Sequence, residues 1–88
     1  AIHKMTLMPA QRLEARVPDM ADKGRIRIGA DADITIFNAE TVIDRATYMD
    51  ASIPSGGIPY VVVGGELVVD QGEITTVRPG GAVRGLIR

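Results

Sequence analysis

The stretch YVVVGGELVVDQGE, residues 60–73, limits what this chain can become more than any other. Two runs rich in valine, 60–63 and 66–69, are separated by Gly64 and Gly65 alone. Such runs fit a pleated, half-buried surface better than a helix. A two-residue loop between antiparallel strands favours the type I′ turn, whose two central residues both need positive φ. Glycine meets that need without steric cost. Residues 60–69 are therefore expected to form a hairpin. DQG, 70–72, then turns the chain into a last strand, EITTV, over 73–77.

Upstream of the hairpin the same grammar recurs twice. RIRI, 25–28, alternates polar and apolar residues, and DITIF, 33–37, does so again after the GADA turn. Residues 38–59 are broken by Asn38, Asp44, Asp50, Pro54, Gly56, Gly57 and Pro59 and are expected to be irregular. The start of the chain differs. Ile2, Met5, Met8 and Leu13 recur at helical spacing, and Pro9 fits only a first turn. One helix ending near Met5 and a second over 7–15, with Thr6 as its N-cap, are expected. A further turn starts after Pro18 and stops at Gly24, in the C′ position. Residues 78–88, RPGGAVRGLIR, read as a surface arm.

Short helices over 1–24, about five strands over 25–77 and an arm make one small α+β, mainly β domain. The 88 residues are 45% hydrophobic and 24% charged, which excludes a disordered chain. Phe37, Tyr48 and Tyr60 are the only aromatics, so a core must come from aliphatic residues and methionine. A formal net charge of −1 and so few stacking rings argue against nucleic acid as a partner. The absence of cysteine excludes disulfides, thiolate zinc and a cysteine nucleophile, and is compatible with a reducing, cytoplasmic setting. No apolar stretch approaches the ~20 residues of a membrane span. The opening AIHKMT has neither an initiator methionine nor a signal-peptide apolar region, as expected of an interior piece of something longer.

Asp31 and Asp33, two apart in GADADITIF, are the most suggestive pair. Residues at that spacing in a strand share a face, so both carboxylates could meet one cation. A hard metal ion wants around six oxygen ligands, and no neighbouring acidic cluster supplies the rest. Closing a turn requires nothing more, since aspartate accepts backbone N–H bonds. The turn is expected, with Gly29 to Ala32 reversing the chain, Asp33 tying it and Ile34 and Ile36 facing the core. His3, the single histidine, would have to serve zinc or act as a base alone, and reads as a solvent-facing helical residue. Ser52 and Ser55 have no histidine or lysine arranged to activate them. The glycine pairs 56–57, 64–65 and 80–81 precede no helix and carry no P-loop lysine, so a phosphate cradle is not formed. Arg78, Arg84 and Arg88 could meet an acidic partner but read as solvated tail charges.

The order of segments is more informative than any single residue. KMTLMPAQRL, KGRIRIGADADITIF, TVIDRATY, PSGGIPYVVVGGELVVDQGE and RPGGAVR, taken together, resemble the C-terminal end of amidohydrolase-superfamily enzymes. The resemblance is strongest to D-aminoacylases, the N-acyl-D-amino-acid deacylases, including those acting on N-acyl-D-glutamate. GADAD is shared widely across the superfamily, whereas its combination with DRATY and GIPYVVV points to the deacylase branch. Gly64-Gly65 stands where many relatives have Asn-Gly.

That resemblance implies a fold, a role and an absence. Residues 1–24 would be short helices following the last strand of a TIM barrel. Residues 25–77 would be the C-terminal part of a small β-sandwich domain, completed by strands from the N-terminus of the parent. The catalytic and zinc-binding residues of such enzymes precede the matched segment, so no catalytic and no metal residue is expected here. Gly29, Asp31, Asp33, Gly64 and Gly65 would then be structural motif residues. Zinc is expected in the parent and no cofactor in this segment. Its partner would be the remainder of the parent chain, and the isolated piece is expected to self-associate. An independent β-rich binding module without catalysis is the alternative.

Overall fold

The computed structural model describes residues 1–84. Arg88 and the end of the expected arm, 85–88, lie outside them. The described chain has two parts. Its first part is helical: α1, Ile2–Met5, α2, Leu7–Leu13, and a single 3-10 turn, Pro18–Asp22. Its second is a four-stranded antiparallel meander of β1, Ile34–Ile36, β2, Tyr60–Val63, β3, Glu66–Asp70, and β4, Glu73–Ile74.

The hairpin forms where the sequence places it. Gly64 and Gly65 adopt φ of 57° and 81°, and Val63 pairs with Glu66 across them. A bulge follows: Val61 pairs with Val69 but Val62 with Leu67, so Val68 is the extra residue on β3. Gln71 and Gly72, both at positive φ, make the tight turn into β4. That last strand is shorter than the expected 73–77. Residues 38–59 are irregular as expected, closed at their base by Asn38 N–H bonded to Gly57 O at 2.9 Å and by a bridge between Ile43 and Gly56.

Three local expectations fail, each for a visible reason. Residues 25–28 are not a strand, so the described residues form four strands rather than five. Both arginines of RIRI turn back onto the helical part. Arg25 Nε donates to Lys23 O at 2.9 Å and its Nη2 to Glu14 Oε2 at 2.8 Å. Arg27 Nη2 donates to Ala21 O at 3.0 Å and pairs with Asp22. The isoleucines between them are driven outward, and Ile26 is 92% exposed. Thr6 is not a side-chain cap: its hydroxyl donates back to Ile2 O at 2.8 Å, one turn into α1. Helix α2 also stops at Leu13, two residues early, where the backbone tightens into turns.

Among the described residues Ala10, on α2 beside the 3-10 turn, is the one buried hydrophobic residue, at 1% exposed. Ile34 and Ile36, expected to face a core, are 39% and 50% exposed, on an edge strand paired only with β2 among the described strands. The chain exposes 7301 Å², about 2,300 Å² more than the roughly 5,000 Å² expected of a compact monomer of its mass. Its radius of gyration is 14.8 Å, against about 12 Å for a compact domain of this length.

Candidate functional site

The two aspartates of GADAD do meet one cation, and it is a lysine. Lys23 Nζ lies 2.8 Å from Asp31 Oδ2 and 2.7 Å from Asp33 Oδ2. Local structure delivers all three groups. The 3-10 turn ends at Lys23, and Gly24 at φ 69° takes the C′ position and turns the chain away. A tight turn over 27–30, closed by Ala30 N–H to Arg27 O at 3.1 Å, brings it back. That reversal lies two residues earlier than expected. Asp31 N–H then bonds to Asp22 O at 2.9 Å, setting the acidic segment alongside the end of the 3-10 turn.

The same segment holds the hairpin loop. Asp33 Oδ1 accepts from Gly64 N–H at 2.9 Å, and Ala32 O accepts from Gly65 N–H at 3.0 Å. Asp33 therefore ties the hairpin loop rather than the expected 29–32 turn, and Lys23 is the partner that sequence reasoning missed. The available signal was a lone lysine, at the end of a helical turn, eight and ten residues before two acids. The bond to Lys23 first, and Gly64 N–H second, hold the Asp33 carboxyl below the usual carboxylate range. The bonds to Asp31 and then Asp33 push the Lys23 ammonium well above the ordinary lysine range. Lys23 is 28% exposed, so each pair is worth about 0.2–1 kcal/mol, as for surface pairs.

The other candidates are scattered. His3 is exposed on α1. Ser52 Oγ donates to Asp50 Oδ1 at 2.6 Å, and its N–H bonds to the same oxygen; these two bonds hold Asp50 below the usual carboxylate range. This closes an Asx turn. Ser55 is exposed nearby. Arg78 bonds to its own backbone neighbourhood, at Thr75 O and Val77 O, and Arg84 is exposed. Gly80 and Gly81 lie in open space on the arm. Among the described residues, no group of three or more His, Asp or Glu is placed to hold a metal ion. Zinc does not fit the donors present: there is one histidine, and Asp31 and Asp33 are already occupied by an ammonium. The concave surface here is a shallow cleft of about 380 Å³ between Lys23, Asp31, Asp33, Gly64 and Pro79. No helix among the described residues is long and apolar enough to cross a membrane.

Lys23, Asp31 and Asp33 thus form an ionic turn that clasps the hairpin loop through Gly64. The chain that carries it is related to the N-acyl-D-amino-acid deacylases, as its segment order implies. N-acyl-D-glutamate deacylase of Alcaligenes xylosoxydans xylosoxydans is 43% identical over 84 residues, covering 96% of this chain and 16% of that protein. N-acyl-D-aspartate deacylase of the same organism is 35% identical over 80 residues, covering 91% of this chain and 15% of that protein. The chain thus spans about a sixth of the length of the curated relatives it matches. No family model and no solved structure matches it.

Proposed function

We propose that this chain is the C-terminal structural segment of a cytoplasmic, zinc-dependent deacylase that hydrolyses the amide bond of N-acyl-D-amino acids with acidic side chains. The observation that carries the proposal is the similarity to two deacylases over nearly all of this chain but only a sixth of theirs. Residues 1–24 are then helices that follow a TIM barrel, and residues 25–77 contribute strands to a small β-sandwich whose remaining strands come from elsewhere in the parent. The exposed Ile34 and Ile36 of the edge strand β1, the outward Ile26 and the surplus of exposed surface support a segment that docks on the rest of a larger body. Zinc, and the residues that hold it, belong to that body, since the donors of this segment are unsuitable.

The test compares two polypeptides. A longer chain carrying these residues at its C-terminal end should release D-glutamate or D-aspartate from the N-acetyl derivatives and lose that activity to a chelator. The 88 residues alone should release neither. Turnover by the 88 residues with zinc, or a longer chain inert on both substrates, overturns the proposal.

A further inference from the structure

We propose that Gly29 is a hinge between two bodies of this chain and that Lys23 is the latch across it. The first body runs through Arg27, because Arg25 and Arg27 are bonded back to Glu14, Lys23, Ala21 and Asp22. The second begins at Asp31 and contains the sheet, to which Ala32 and Asp33 are joined through Gly64 and Gly65. None of the helical elements packs against a strand. Between the bodies lie Ile28, Gly29 and Ala30. Ile28 is fully exposed, and Gly29, at φ 89°, has no atom within 4 Å of where a side chain would begin. A short exposed turn centred on a left-handed glycine, with nothing packed on it, is the kind of element that absorbs a backbone rotation.

Among the described residues, three hydrogen bonds or ion pairs cross the hinge. One is the backbone bond from Asp31 N–H to Asp22 O, and the other two belong to the Lys23 ammonium. A single side chain therefore supplies both ionic ties, and it grips the residue, Asp33, that also holds the hairpin loop. When Lys23 lets go, the bonds across the hinge fall to one backbone bond beside a glycine turn. When it holds, the direction in which the helical body leaves the sheet is fixed. This follows from the geometry of the chain itself and is independent of what the longer protein catalyses.

The experiment measures the distance between the bodies. The chain has no cysteine, so Gln11→Cys on α2 and Glu66→Cys on β3, both exposed, place two spin labels without competition. Pulsed dipolar spectroscopy should give a narrow distance distribution in the labelled chain with Lys23 intact (the parent for this comparison) and in Lys23→Arg, which keeps the charge. Lys23→Met should broaden it at least twofold, with helical circular dichroism and the β2–β3 cross-strand contacts retained. Raising salt to 1 M should broaden the parent in the same direction, since exposed ion pairs are screened. A Lys23→Met distribution as narrow as the parent's overturns the latch. So does loss of the hairpin contacts in that variant, because Lys23 would then be holding the sheet together rather than orienting two intact bodies.

Discussion

Asp33 faces two partners at once: the Lys23 ammonium at 2.7 Å through Oδ2 and the Gly64 N–H at 2.9 Å through Oδ1. The two can be separated by substitution. Asp33→Ala loses both, and should lower unfolding stability by about 1–2 kcal/mol, from an exposed ion pair of about 0.2–1 kcal/mol and a solvent-accessible hydrogen bond of about 0.5–1.5 kcal/mol. Asp33→Asn keeps an oxygen for Gly64 and loses the charge, so it should recover about half of that loss. Urea denaturation of the three chains checks the order. Equal stability of Asp33→Ala and the parent means the turn is held by its backbone bonds alone.

The same carboxyl sets an acid limit. Its pKa in the folded chain lies below 3.8, because the ion pair and the Gly64 bond favour the charged form. A depressed carboxylate contributes stability above its unfolded value and loses it as pH falls through the folded value. The urea midpoint should therefore drop as pH is lowered from about 4, and Asp33→Asn should flatten that drop. Lys23 works in the opposite direction. Its raised pKa contributes fully below 10.5, and that contribution fades only as pH rises beyond it. Between pH 5 and 9 the latch should be insensitive to pH. A midpoint that changes steeply near pH 6 would point to another titrating group.

Much of the second half of the molecule was legible from local grammar. Gly64-Gly65 between valine runs, Asp70-Gln71-Gly72 before Glu73, and the breakers of 38–59 all act through their own backbone geometry, so reading neighbours in sequence was enough. The failures share another cause. The period-two pattern of 25–28 is real, but a strand needs a neighbour, and Arg25 instead found Glu14, eleven residues away. Likewise Asp31 and Asp33 are expected from sequence to close a turn rather than to share a cation, and the lysine that reaches both depends on how a 3-10 turn ends. Pairings between distant side chains are decided by tertiary placement, which alternation of residue types does not encode.

Arg25 offers a direct check on that correction. Its guanidinium, 18% exposed, joins Glu14 at the end of α2 to Lys23 O beyond the 3-10 turn. Arg25→Ala should cost about 1–2 kcal/mol and loosen the end of α2, seen as faster amide exchange at Glu14 and Val17, whose N–H groups close that end. If RIRI were instead a strand whose arginines face solvent, the substitution would be nearly silent.

Ile26 and Ile28, the apolar half of that motif, carry the consequence for association. Each stands almost wholly in water, while Arg25 and Arg27 beside them are held in ion pairs with Glu14 and Asp22. Burying an isoleucine side chain is worth about 1.5–3 kcal/mol, enough to make a dimer at high micromolar concentration when several such residues meet. Sedimentation velocity of the 88 residues should show the mass rising above 9.4 kDa as concentration increases. Ile26→Lys with Ile28→Lys should hold the chain at its monomer mass without lowering its urea midpoint, because neither side chain supports the fold. A parent that stays monomeric at every concentration would mean that the exposed surplus is not adhesive, and the docking role inferred from it would go with it.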